Sequence, residues 1–502
     1  VPIITSLFNA FNAPRIKRIE YFKNHPLEVQ ERVFFKLLDM ASNTVQGKKY
    51  GYREIRSIES FQERVPLVSY EDLLPEIGKL RHGATDLLWP GEVKWFAKSS
   101  GTTSTKSKFI PVTREALRGC HYRGITDLLA IYSRNFPENR LFYGRALTLG
   151  GSHKINPEGN HALSGDLSAI LLENAPRISE FWKSPDKNTA LVDDFERKLE
   201  LITSKAVGQN ITSMSGVPSW YLTLIKYVLK FTGKKDLSDV WPNLEVFFHG
   251  GISFVPYRDI YKSLIGSDKM KYMETYNASE GFFGIQDDLD DSAMLLMLDN
   301  GVFYEFIPAD RADDPDVAAV SLRDVVPGVN YSVVITTDSG LWRYKIGDTI
   351  VFTSTSPYKF RISGRVKQYI NAFGEEVIVD NADRAIKAAS EATGATVTEY
   401  TAGPVYMEID SRGGHEWIIE FEREPDSLEN FAEVLDRTLK EVNSDYEAKR
   451  YKDINLVKPL IRAAPGGTFN RWMKSRDKLG GQNKVPRLAN NRDYLESLAR
   501  FL

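Results

Sequence analysis

Apolar positions set two tempos along the chain. Val29, Val33, Phe34, Leu37, Leu38 and Ala41 recur three and four residues apart, so they share one face of a helix that Pro26 can open. Ser69-Tyr70-Glu71-Asp72 has the form of a helix-starting capping box, with Asp in place of the usual Glu. From residue 93 the runs shorten. Residues 93–97 and 109–112 read as strands, and Thr113 can cap a helix running to about Arg134. Residues 141–143 and 146–149 read as strand, and 195–204 and 220–231 as helix. Residues 244–248 read as a buried strand, 256–265 as helix and 271–275 as strand. Strands alternating with helices over 93–280 predict a mostly parallel sheet covered on both faces.

The period then falls to two. Residues 301–306, 331–336 and 349–352 alternate between turn signals, which predicts an antiparallel sheet or small barrel, with 309–316 as a charged surface loop. Beyond Gly374 the pattern changes again. A helix from about Asp380, strands at 395–401, 417–421 and 454–457, and a helix at 428–442 predict a small α+β unit. The expected fold class is therefore α/β. A large N-terminal domain (1–370) would combine mixed or parallel sheet, helices and an antiparallel barrel-like part. A small C-terminal α+β domain (371–502) would follow. The boundary segment, 364–374, is charged and ends in glycine, so the small domain is expected to rotate.

Composition adds exclusions. With 502 residues the chain is too long for one core. Hydrophobic residues at 42%, charged residues at 26% and a net charge of −2 describe an ordinary globular protein with no general affinity for nucleic acid. No apolar run approaches the ~18 residues of a membrane span. The apolar residues of positions 1–18 are expected to pack on the body of the protein. A lone cysteine, Cys120, excludes an internal disulfide or a cysteine-based metal site and suits a cytoplasmic location.

Candidate chemistry begins between the strands at 93–97 and 109–112. Ser99-Ser100-Gly101-Thr102-Thr103-Ser104 supplies five hydroxyls, small side chains and close backbone N–H groups, with Lys106 and Lys108 following. Such a loop suits a polyphosphate. It is not a Walker loop, which needs a second glycine before its lysine. A second block, Tyr272 to Gly281, runs from an apolar strand into Thr275, Tyr276, Asn277, Ser279 and Glu280. Strand ends of a parallel sheet face the ligand crevice. There Tyr276 could stack on a base and Glu280 could hold Mg²⁺. A third block, Gly340 to Asp348, ends in a short carboxylate able to accept both ribose hydroxyls. A fourth, Gly364 to Gly374, carries Arg365 and Lys367, and a fifth holds Lys484 in Asn483-Lys484-Val485-Pro486-Arg487. Each block alone reads equally well as a turn, a solvated acid or a surface lysine.

In this order the blocks resemble adenylate-forming enzymes of the acyl-CoA synthetase and luciferase superfamily. The nearer resemblance is to the auxin-responsive Gretchen Hagen family of acyl acid–amido synthetases. Its phosphate loop, Y-x-x-S-E and Y-R-x-G-D motifs are similar to Ser99–Lys108, Tyr276–Glu280 and Tyr344–Asp348 here, except that Thr105 replaces a common glycine and Lys345 a common arginine. The resemblance implies ATP and AMP as cofactors with Mg²⁺, and a small carboxylic acid and an amino acid as substrates. Ser99, Ser100, Gly101, Thr102, Thr103 and Lys108 would hold phosphates. Thr275 and Tyr276, with Asn277 and Ser279 beside them, would border adenine and the α-phosphate. Glu280 would bind the metal, Asp348 the ribose, and Arg365 and Lys367 would flank the nucleotide. Lys484 would reach in as the catalytic lysine. Gly250, Gly251 and the helix after Thr113 are plausible walls for the acid. An acyl-CoA ligase sharing the adenylation step and a non-catalytic nucleotide sensor are the alternatives.

Overall fold

The helix Pro26–Ala41 forms where its periodicity places it, with Pro26 in its first turn. Its buried Phe34, Leu37, Leu38 and Ala41 pack with Tyr52, Phe61, Trp89, Phe303 and Trp342. This computed structural model describes the chain apart from residues 1, 101–106, 152–161, 193, 313, 315, 367, 410 and 477–484. The capping box at Ser69 is present, its hydroxyl accepting from the Asp72 N–H while the Asp72 carboxylate accepts from the Ser69 N–H at 2.7 Å.

The first helix, Ile3–Asn24, meets the expectation that its apolar residues pack on the body only in part. Its leading turns point Ile3, Leu7 and Phe11 outward, at 74%, 66% and 84% exposure. Aromatic and polar contacts both dock this part, the Phe8 ring lying 4.4 Å from that of Phe142 and the Thr5 hydroxyl donating to the Asn139 carbonyl at 2.9 Å. Further along, Ile16 packs against the core and Ile19 and Phe22 enter it.

One twelve-stranded sheet organises the large domain. Strands Lys183–Ser184, Arg145–Thr148, Ile211–Gly216, Val246–Gly250 and Lys271–Ala278 run parallel. Lys271–Ala278 then pairs antiparallel with Gly281–Ile285, and the ladder continues through Met294–Leu296, Tyr358–Arg365, Tyr344–Thr355, Asn330–Thr337, Val302–Pro308 and Val320–Ser321. The antiparallel region read from the alternating pattern is thus a continuation of the parallel one. Apart from this sheet, Trp95–Ser100 and Ser107–Val112 form a hairpin, with Leu163–Gly165 parallel to its first strand.

In the C-terminal unit, helices Val379–Thr393 and Leu428–Val442 accompany a sheet of Thr396–Val405, Gly414–Arg423 and Leu460–Ala464. Two strand readings fail. Residues 141–143 form a 3-10 turn, where the Arg140 N–H donates to Glu245 at 3.1 Å and the Leu141 N–H to Asn139 at 3.2 Å, drawing the backbone out of extension. The last strand is Leu460–Ala464, not 454–457, of which Leu456 makes only an isolated bridge to Gly413. The boundary segment is also less free than its charges suggest. Ile370, Ala372, Phe373 and Val377 are buried in one apolar cluster with Tyr257 and Tyr261 of the large domain and Trp417 of the small one. The Tyr257 hydroxyl donates to the Ala372 carbonyl at 2.7 Å, and the Ser219 hydroxyl to the Phe373 carbonyl at 2.9 Å.

Candidate active site

The hairpin aligns Ser99 with Lys108 and Ser100 with Ser107 across its two strands. Gly101, Thr102 and Thr103 lie outside the described residues, as do Lys367 and Lys484. The helix Tyr70–Arg81 supports the second strand. The Phe109 N–H donates to the Tyr70 hydroxyl at 2.7 Å, and the Lys108 ammonium lies 5.8 Å from the Tyr70 ring centre.

Thr275, Tyr276 and Asn277 lie on Lys271–Ala278, while Ser279 and Glu280 make the turn into Gly281–Ile285. This turn stands where the sheet changes from parallel to antiparallel. Gly250, on the neighbouring strand, comes so close that a Cβ there would lie 2.4 Å from the Thr275 carbonyl oxygen. The Thr275 hydroxyl donates to the His249 carbonyl at 3.3 Å. Asn277 faces His121 of the preceding π-helical turn, Oδ1 to Nδ1 at 3.2 Å, and burial pushes that imidazole down to about 4, so it stays neutral.

Glu280 is buried, and desolvation pushes its carboxyl up to about 7. Lys108 is the strongest attraction opposing that rise; Asp348 adds to it and Arg365 opposes it. Three of the sequence blocks therefore meet electrostatically at one carboxyl group.

The Tyr276 ring is buried, edge-on to Phe283 at 5.0 Å and Phe360 at 6.1 Å, and its hydroxyl donates to Asp348. Asp348 sits directly opposite Arg365 in the ladder and accepts from its Nε at 2.9 Å. The rest of that guanidinium grips Glu376 at 2.9 and 3.1 Å. Glu376 holds a left-handed backbone, φ 43°, two residues after Gly374 at φ 91°. The Arg365 side chain thus ties the carboxylate proposed for ribose to the segment that leads into the small domain.

Sequence reasoning missed that link, and a second one. The short helix Ser444–Lys449 lies against the hairpin, where the Ser107 and Ser444 hydroxyls are 3.0 Å apart. Burial raises the Asp445 carboxyl and lowers the Lys449 ammonium, which rests 3.8 Å above the Trp220 ring. No spacing announces His121, Glu376, Asp445 or Lys449, because their partners lie far away in sequence.

Comparison with known proteins gives a consistent result. Family models match along the chain: the GH3 family N-terminal domain over residues 15–270, the central domain over 295–365 and the C-terminal domain over 380–493. The indole-3-acetic acid-amido synthetase GH3.4 of Arabidopsis thaliana is 24% identical, with 94% of this chain and 91% of that protein aligned. The 4-substituted benzoates-glutamate ligase GH3.12 of the same plant is 24% identical over 88% of this chain and 89% of its own length. In fold, the chain superposes on the GH3.15 acyl acid amido synthetase in complex with 2,4-DB with a TM-score of 0.62 at 19% identity, covering 94% of this chain and 93% of that one. It also superposes on a 2-hydroxyisobutyryl-CoA ligase with a TM-score of 0.53 at 14% identity, covering 94% and 91%. With all three domain models matched in order over most of its length, the chain belongs to the GH3 family.

Proposed function

We propose that the protein is a ligase that activates a carboxylic acid with ATP and passes the acyl group to an amino acid. In the first step a carboxylate oxygen bonds to the α-phosphorus of ATP and the bond to pyrophosphate breaks. In the second the amine nitrogen bonds to the acyl carbon, the bond to AMP breaks and the amine sheds a proton. The observation that carries this reading is that Tyr276, Asp348 and Arg365, from three separate blocks, are hydrogen-bonded in one chain, with Lys108, Asp348 and Arg365 all acting on the buried Glu280.

The chemistry asks mainly for positioning and for neutralising charge on a phosphoryl centre. Ser99, Ser100, Gly101, Thr102, Thr103 and Lys108 would hold the phosphates. Glu280 fits a Mg²⁺ ion, a hard cation that takes few protein carboxylates alongside phosphate oxygens. Its carboxyl is held partly neutral by burial, so a cation beside it would restore its charge. Such an ion would neutralise the triphosphate. Asp348, pointed by Tyr276 and Arg365, would accept the ribose hydroxyls. Thr275, Asn277 and Ser279 would border the nucleotide, and Lys367 and Lys484 would approach from the hinge and the small domain.

The likeness in fold to a CoA ligase favours a second reading in which a thiol replaces the amine. Incubation with ATP, an aryl acid and either mixed amino acids or coenzyme A, followed by mass analysis, tests both. Amide with AMP supports the first reading and thioester the second. ATP binding with neither product would leave a nucleotide sensor.

A further inference from the structure

A surface helix ordinarily buries its apolar stripe and shows its polar one to water. In the first helix, Ile3–Asn24, much of the buried side is polar. The Thr5 hydroxyl reaches the Asn139 carbonyl, the Asn9 amide donates to the Ser133 carbonyl at 3.2 Å, and Asn12 is enclosed. Arg15 adds a double grip, on Asp127 at 2.6 Å and on Asp299 at 2.8 Å. Asp127 is buried, so this grip fixes which way the helix faces. Phe8, Ile16 and Ile19 add apolar contacts on the same side.

The outward side repeats at helical spacing, with residues 3, 4, 7, 10, 11, 14, 17 and 18 all exposed. From Ile3 to Arg18 this stripe is about 22 Å long. Its first three turns carry Ile3, Ile4, Leu7 and Phe11, and its fourth carries Lys17 and Arg18. The half-exposed Tyr143 stands beside the first turn, where its hydroxyl accepts from the Ile4 N–H at 3.3 Å. No acid lies on the stripe. The one acid of the helix, Glu20, is held by Arg134 at 2.6 Å. Among the described residues Lys17 and Arg18 have no ion pair. The stripe is thus apolar at one end and cationic at the other, and the buried side holds it in that orientation.

We propose that this stripe rests on an anionic lipid surface, with Ile3, Leu7 and Phe11 entering the acyl boundary and Lys17 and Arg18 meeting the headgroups. An apolar row that ends in cations is the pattern of a helix lying in the plane of a membrane interface. Among the described residues no helix is long and apolar enough to cross a membrane, so the contact proposed is with its surface. A second copy of the chain suits the stripe less. Paired about a two-fold axis, each stripe would meet its own kind, and the cations of both copies would gather with no acid to answer them. An anionic lipid supplies the charge that the stripe lacks.

The test is co-sedimentation of the full chain with vesicles of phosphatidylcholine alone, and of phosphatidylcholine mixed equally with phosphatidylserine. The chain is expected to bind the mixed vesicles about tenfold more tightly than phosphatidylcholine. Leu7→Ser combined with Phe11→Ser should weaken binding to the mixed vesicles about tenfold. Lys17→Gln combined with Arg18→Gln should remove the preference for the mixed vesicles. All four side chains are exposed, and circular dichroism checks that the variants fold. No binding to the mixed vesicles, equal binding to both kinds, or binding untouched by the apolar substitutions would overturn the proposal. So would a dimer in lipid-free sedimentation equilibrium that the apolar substitutions dissociate, because the stripe would then belong to a second copy. The assay contains neither ATP nor a carboxylic acid substrate, so its outcome is independent of whether the chain makes amides.

Discussion

Two buried glutamates, one on a strand of the large sheet and one in a turn between its strands, are treated in opposite ways. Glu305 is met by Arg343 at 2.9, 3.1 and 3.2 Å and by the Gln62 amide at 2.8 Å. The two Nη1 hydrogens go to the carbonyls of Gln62 and Val65 at 2.9 and 2.7 Å. Both side chains are almost wholly buried, and Arg343 adopts φ 47° to make the fit. Every charge there has a partner inside the protein. Glu280 is also buried, yet the charged side chains that bear on it act through space, and its carboxyl rises to about 7. The difference separates a joint from a site. The joint spends its charges on itself, while the proposed site would keep one available for a ligand.

The comparison breaks most readily at Arg343. Arg343→Ala would leave the Glu305 carboxylate buried without its counter-charge and two carbonyls unbonded, which should cost about 3–5 kcal/mol. A large fall in the urea midpoint followed by tryptophan fluorescence checks this; an unchanged midpoint would mean that Glu305 is no joint.

The next effect concerns a cation expected at the site. Lys484→Ala should slow adenylation, where a carboxylate approaches a phosphate. It should spare aminolysis of supplied acyl-adenylate. Unit charges ~4 Å apart interact by about 4 kcal/mol at an effective dielectric of ~20, before solvent discounts it. Full ATP–pyrophosphate exchange in the variant would remove Lys484 from that step.

Asp348→Ala should weaken ATP by about 1.5–3 kcal/mol for each charge-assisted bond lost, with the fold preserved. Calorimetry with ATP reads this directly. Equal affinity would leave Asp348 as a second joint, serving Tyr276 and Arg365 alone.

The smallest effect sharpens the contrast. Glu280→Gln should not destabilise the protein as Arg343→Ala does. The folded carboxyl titrates near 7 and an unfolded one near 4.5, so the folded chain binds the proton more tightly. Stability from that proton is full below about 4.5 and is lost as the pH rises to about 7. The variant lacks this loss. It should gain on the wild type by on the order of 1–3 kcal/mol across that window and hold the gain above it. It should also need more Mg²⁺ for pyrophosphate release. A stability difference that stays flat with pH would show that Glu280 is not held in this way.

Much of the frame was legible because burial imposes periods. The helices Pro26–Ala41 and Leu428–Val442 repeat their apolar residues at three and four, and the structure keeps those bounds. Short apolar runs carry no such signature, so Leu141–Tyr143 passed for strand although side chains from Asn139 and Glu245 wind it into a turn. The strand Leu460–Ala464 has the opposite fault, since most of its residues are exposed and nothing in its pattern marks it. At the site, Glu280, Asp348 and Arg365 stood out through their blocks. The grip of Arg365 on Glu376 and the contact of Ser444 with Ser107 join residues whose pairing only the folded chain decides.

The single ladder running through the large domain also sets a condition on synthesis. Met294–Leu296 pairs on one side with Gly281–Ile285 and on the other with Tyr358–Arg365, made more than sixty residues later. Until Arg365 has left the ribosome, the half-built sheet carries an apolar strand with an open row of backbone donors and acceptors. Such an edge recruits any extended segment within reach. A chain released early, after the parallel half but before residue 365, should therefore associate with its own copies, and its solubility should recover once Tyr358–Arg365 is included.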